Sequence, residues 1–137
     1  QILSVFPVIE LHNFVFRAPE KSFSELIANN GLNKGLILSE QTWEKLSDEF
    51  DETSILSLEI TGSLLDSGDL WPMDGGPLSS IDWLQQHLVE HNLQLLEGDI
   101  ILGGTALGLH PAQPGDNINV KINEQSAVQC VINSSAI

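Results

Sequence analysis

Residues 96–116, LEGDIILGGTALGLHPAQPGD, constrain the fold more than any other part of the chain. A polar turn, Glu97-Gly98-Asp99, leads into the apolar run Ile100-Ile101-Leu102. The chain then breaks at Gly103-Gly104-Thr105, carries a further glycine at Gly108, and closes on the turn Pro114-Gly115-Asp116. An apolar run bounded by turn residues predicts a buried strand. Glycines just beyond a strand serve a positive φ or a backbone that must approach something closely. A threonine hydroxyl and unobstructed backbone N–H groups at such a strand end suit a carboxylate or an oxyanion. The same spacing also fits a tight turn whose glycines serve conformation alone.

The rest of the chain reads as strands with helices inserted. Residues 2–9, ILSVFPVI, are apolar and β-prone, with Pro7 favouring a strand start or an edge. Glu10 follows inside this run, ahead of Leu11-His12-Asn13-Phe14-Val15-Phe16-Arg17. A carboxylate there is either paired, protonated or metal-bound in a buried setting, or it faces water with His12 and Asn13 on a wet strand face. Ala18-Pro19 breaks the strand, and Ser22-Phe23-Ser24-Glu25 has the spacing of a capping box for a short helix running to about Asn29. Phe23, Leu26 and Ile27 fall on one side of it, and Asn29-Asn30-Gly31 ends it. Such asparagines cap helices, and they can also bond a substrate.

Gly35-Leu36-Ile37-Leu38 is a short buried strand, and residues 41–50 are loosely helical with Trp43 and Leu46 as their apolar side. Residues 48–52 are a solvated acidic loop without the spacing or central glycine of a calcium-binding EF-hand. Residues 54–60 form a half-buried strand, and 61–69 run on from it into a turn. A breaker-rich loop at 71–77, with Trp71 and Met73 at a core edge, precedes the clearest helix, 78–91. Ser79 or Ser80 is its expected cap, and Ile81, Leu84 and Leu88 recur at helical spacing, flanked by Trp83 and His87. His87 and His91 stand four apart, but the HExxH glutamate is missing, so both read as surface residues. Residues 117–122 alternate strictly, 123–126 are a hairpin-length connection, 127–132 form the last strand, and 134–137 are an expected frayed end. The sum is about six strands with two or three helices, an α+β domain over residues 1–137.

Composition narrows the function. Nineteen acidic and five basic residues give a net charge of −14, which argues against a nucleic-acid partner or an anionic membrane surface. It leaves small anionic substrates open, because a divalent cation inverts the local field. No apolar run is long enough to span a membrane, and nothing at the start resembles a signal peptide. Cys130, the single cysteine, excludes an intramolecular disulfide and a metal-binding cysteine pair, and reads as a small apolar strand residue. The compartment stays open, with a cytoplasmic setting favoured. The chain begins at Gln1, and the expectation is a processed or truncated piece of a longer protein.

Taken together, the motifs resemble the C-terminal region of the fumarylacetoacetate hydrolase superfamily, in particular its 2-keto-4-pentenoate hydratase branch, which includes the oxalocrotonate decarboxylases. Gly98-Asp99-Ile100-Ile101-Leu102 with Gly104-Thr105, Gly108 and Pro114-Gly115-Asp116 is similar to the branch's glycine-threonine loop. Pro7-Val8-Ile9-Glu10-Leu11 resembles its P-x-x-E-[LV] strand, Leu26-Ile27-Ala28-Asn29-Asn30 its I-A-x-N segment, and residues 76–84 its H-P-L-x-A-x-x-W-L helix. The order and spacing match over nearly the whole chain. The resemblance implies a mixed β-roll and a magnesium or manganese ion that chelates a small 2-oxo acid and stabilises an enolate during hydration. Oxygen-only carboxylate sites suit those cations. It makes Glu10 a metal ligand, gives the substrate carboxylate to Thr105 and the Gly104 backbone, and places Asn29 and Asn30 as catalytic residues beside the substrate.

Two departures stand out. The family's other metal carboxylates lie in a Glu-x-Glu strand ahead of the position of Glu10, and its upstream lysine also falls outside this chain. The hydrolase branch carries a lysine near the position of Asn29, which favours the hydratase branch here. Two readings follow: the C-terminal portion of a hydratase-type lyase, or a catalytically incomplete relative that binds or scaffolds. A roll lacking its first strands exposes apolar edges, so self-association is expected.

Overall fold

The computed structural model of the chain describes residues 2–13, 22–40 and 53–134. The expected strand continuation at 14–17 with Arg17, the break at Ala18-Pro19, the helix within 41–50, the acidic loop at 48–52 and the end at 135–137 lie outside these residues. Among the described residues the order is β1 (Val8–His12), α1 (Phe23–Ala28), a 3₁₀ turn (Asn30–Leu32), β2 (Asn33–Leu38), β3 (Ile55–Ile60), β4 (Ser63–Asp69), α2 (Gly76–Glu90), β5 (Asn117–Ile122) and β6 (Gln125–Val131). This is an α+β arrangement with six strands in two sheets: β1 pairs with β2, and four strands run in the order β4-β3-β5-β6. Every pairing is antiparallel.

The alternation in β5 decides where the core lies. Ile118, Val120 and Ile122 point to one face and are 5–7% exposed, while Asn117, Asn119 and Lys121 point to the other. Ile9 from β1 and Val128 from β6 join Ile118 and Val120 in the main cluster, with Leu11, Ile37, Leu56, Leu58, Ala112, Cys130 and Ile132 packed around it. The small sheet therefore lies across β5 and β6. On the opposite face Lys121 pairs with Glu59 at 2.5 Å and Ser126 donates to Asn119 at 2.6 Å, as suits an antiparallel sheet with one wet side. Cys130 is free and half-buried, and that burial pushes its thiol pKa up.

Both hairpins of the large sheet turn in two residues, Thr61-Gly62 and Asn123-Glu124, all four at positive φ. Such turns match the right-handed twist of paired strands. Hence 61–69 is a tight turn and a full strand, β4, where the sequence pointed to a strand running out into a turn. Its mixed polarity and Gly68 hide the strand from a pattern reading. The connection before β6 is also shorter than the four residues expected, because Gln125 and Ser126 already belong to the strand.

The expected strand at 100–102 does not form. Those residues lie in irregular backbone, with Ile100 53% and Leu102 40% exposed. The count of six strands survives because β4 takes its place. Helix α2 also starts earlier than expected: Gly75, at φ 78°, is the N-cap, and Pro77 sits in the first turn. Ser79 donates to the Gly76 carbonyl at 2.7 Å and caps nothing. Helix α1 has the expected capping box, with Ser22 and Glu25 bonding reciprocally. Its apolar side is not packed, however: Phe23 is 79% and Ile27 66% exposed.

Candidate functional site

β1 presents Glu10 and His12 on the same face, since side chains two apart share a side of a strand. Both residues are exposed, as the wet-face reading expects. Register sets His12 opposite Asn33 at the start of β2, beside a bulge. Asn33 Nδ2 donates to Glu10 Oε1 at 2.7 Å, and His12 Nε2 lies 3.2 Å from Glu10 Oε2. Both oxygens of this carboxylate thus have a partner, Asn33 across the hairpin and His12 on its own strand.

The same asparagine lines a small open pocket with Asn13, Asn29, Leu32 and Lys34. Its wall is the turn between α1 and β2. Asn29 is the C-cap of α1, and its side chain donates to the Glu25 carbonyl at 2.9 Å. Asn30, Gly31 and Leu32 follow at φ 50°, 64° and 72°. A leucine in that region is strained. It is held there by burial of its side chain to 4% exposure and by the Asn13 N–H, which donates to its carbonyl at 3.0 Å. Thus Glu10, Asn29 and Asn30, singled out separately in the sequence, belong to one corner of the molecule, joined through Asn33. Asn33 and Lys34 escape sequence reading because neither belongs to a motif; only the β1–β2 register brings them there.

Gly104 and Thr105 lie in a second place. A Cβ on Gly104 would sit 3.5 Å from Met73 Cε, and one on Gly103 would sit 3.5 Å from Pro77 Cβ, so the loop rests on the entry to α2. Across it, a Cβ on Gly68 of β4 would come within 2.9 Å of Ala106 Cβ. Gly104 is at φ 92°, and Thr105 Oγ1 accepts the Leu107 N–H at 3.1 Å. Among the described residues no hydrogen bond or ion pair links Gly104 or Thr105 to Glu10, Asn29 or Asn30.

The loop is held by an unanticipated acid. Asp66 Oδ2 accepts the Gly108 N–H at 2.9 Å and meets His110 Nε2 at 2.8 Å. The Gly108 N–H, then the His110 ring, hold the Asp66 carboxyl below its usual range. Two turns of one design bracket the stretch. Gly98 and Gly115 are at φ 91° and 98°, and Asp99 and Asp116 accept the Leu96 and Gln113 N–H groups at 2.8 and 2.7 Å. On α2, Trp83 and His87 stack at 5.0 Å and His91 packs edge-on against His87 at 4.7 Å, all three exposed, in line with a surface role.

Magnesium and manganese call for about six oxygen ligands. Among the described residues no three His, Cys, Asp or Glu side chains converge on one point, and Glu10 is one carboxylate with one imidazole beside it. These residues alone do not make a complete site for such an ion.

No family model matches the chain. Over 134 residues it is 30% identical to a curated lyase-type protein, a hydratase. That relative is the 2-oxo-hept-4-ene-1,7-dioate hydratase of Escherichia coli, and the match covers 92% of this chain and 49% of the hydratase. The chain therefore spans about half the length of the curated relative it matches.

Proposed function

We propose that the chain is the C-terminal part of a hydratase of the fumarylacetoacetate hydrolase superfamily, with a β-roll fold of that type and a dienoic 2-oxo acid as substrate. The observation that carries this is the corner joining Glu10 to Asn29 through Asn33, in a chain 30% identical to a 2-oxo-hept-4-ene-1,7-dioate hydratase. In this reading Glu10 contributes one carboxylate to a magnesium or manganese site. The remaining ligands come from protein corresponding to the unmatched half of the relative. Asn29 and Asn30 orient the substrate by hydrogen bonding, in rigid backbone that costs little to preorganise. Gly104 and Thr105 receive the substrate's carboxylate beside the first turn of α2, where the helix dipole favours an anion. The exposed Phe23 and Ile27 of α1 and Trp83 and Val89 of α2 support self-association.

A second reading, a relative that binds or scaffolds without catalysis, draws support from Glu10 standing without a second carboxylate beside it among the described residues. One experiment separates the two. Intact mass is measured on the purified protein, and Mg²⁺ and Mn²⁺ are titrated calorimetrically into it and into Glu10→Gln, with loss of dienoate absorbance as the activity readout. The hydratase reading expects a mass above that of residues 1–137 and, in that longer protein, metal binding and turnover, both lost in Glu10→Gln. A mass matching residues 1–137, with binding absent below millimolar metal and no turnover, leaves the scaffold reading.

A further inference from the structure

We propose that the pocket between the end of β1 and the turn before β2 binds a carboxylate, with Lys34 as its charged partner, and so selects dicarboxylates. The chain carries five basic residues against nineteen acids, and two of the five, Lys34 and Lys121, are among the described residues. Lys121 is taken by Glu59 on the wet face of the large sheet. Lys34 has no ion pair or hydrogen bond among the described residues, and it lines a pocket.

The other lining groups suit an anion. Asn29 and Asn33 each spend one N–H in the bonds to Glu25 and Glu10, which leaves the second hydrogen of each amide nitrogen. The Asn13 side chain has no partner among the described residues, and its amide adds two donors. An ammonium among amide N–H groups repels a metal ion and attracts a carboxylate.

Position gives the pocket its meaning. Glu10 shares Asn33 with it, so an acidic end and a basic end lie next to each other on one hairpin. A 2-oxo acid held at the Glu10 end would direct its chain toward Lys34, and a second carboxylate there would find its counter-charge. This part of the inference rests on the functional reading above; the anion pocket itself does not. A monocarboxylate of the same length would leave the ammonium unpaired.

The test uses heptanedioate, a saturated and unreactive dicarboxylate, and the uncharged heptanediamide as its control. Both are titrated into the wild-type chain, Lys34→Gln and Lys34→Arg by NMR, with far-UV circular dichroism to check the fold. Heptanedioate should bind saturably and weaken about tenfold in Lys34→Gln, the scale of one charge-assisted hydrogen bond, with recovery in Lys34→Arg. Heptanediamide should not distinguish the three proteins. Unchanged heptanedioate binding in Lys34→Gln, an equal loss for both ligands, or no saturable binding would overturn the proposal. Lys34-dependent binding in a protein without dienoate turnover would keep the pocket and remove the hydratase reading; turnover indifferent to the second carboxylate would do the reverse.

Discussion

β5 and the segment 100–102 are made of the same kinds of side chain and finish in opposite states. Ile118, Val120 and Ile122 are 5–7% exposed, whereas Ile100 and Leu102 are 53% and 40% exposed. β5 alternates, so one face carries all its apolar groups, and it has hydrogen-bonded neighbours on both sides in β3 and β6. Residues 100–102 are apolar without alternation and pair with no strand. What holds their neighbourhood is polar: two local glycine–aspartate turns, and the Asp66 clamp that reaches Gly108 and His110 from β4. An apolar run becomes a strand when a partner edge and a single buried face are both available.

The contrast can be broken most forcefully at β5. Ile118→Ala should cost about 3 kcal/mol by urea denaturation, and Ile100→Ala no more than about 0.5 kcal/mol. Equal losses would mean that the exposed run is part of the core after all. The next effect in size is at the crossing of the two regions. Gly68→Val pushes a side chain into Ala106, and the displaced loop should cost about 2 kcal/mol, with faster amide exchange over 103–108 than in β5. The smallest is electrostatic. The folded Asp66 carboxyl titrates below its unfolded value, so its stabilisation is present above about pH 4 and is lost as pH falls through the lowered folded value. Asp66→Asn should therefore flatten the acid limb of the stability curve and loosen the loop at neutral pH; an unchanged acid limb would show that the clamp does not hold it.

Sequence reading found the elements whose signal is local. The Ser22–Glu25 capping box, the strict alternation of β5 and the helical spacing of Ile81, Leu84 and Leu88 all specify their structure within a few residues. It missed β4, whose mixed side chains become a strand through pairing with β3, and it placed a strand at 100–102 where no edge receives one. At the candidate site, Glu10, Asn29 and Asn30 stood out as unusual residues in their segments. Asn33 and Lys34 did not, because their place depends on a register between strands. The Asp66–His110 pair links positions far apart in the chain, and neither residue belongs to a local pattern.

The strand order β4-β3-β5-β6 also sets a timetable. β3–β4 and β5–β6 are hairpins with two-residue turns, and units of this kind form in roughly microseconds. β3 and β5 are neighbours in the sheet, yet the chain between them carries β4, α2 and the glycine loop. Closing that span costs entropy before the contacts repay it. The sheet is thus two quick halves with a slow seam at β3–β5, and sequence changes there should act on the rate of folding more than changes in either hairpin turn.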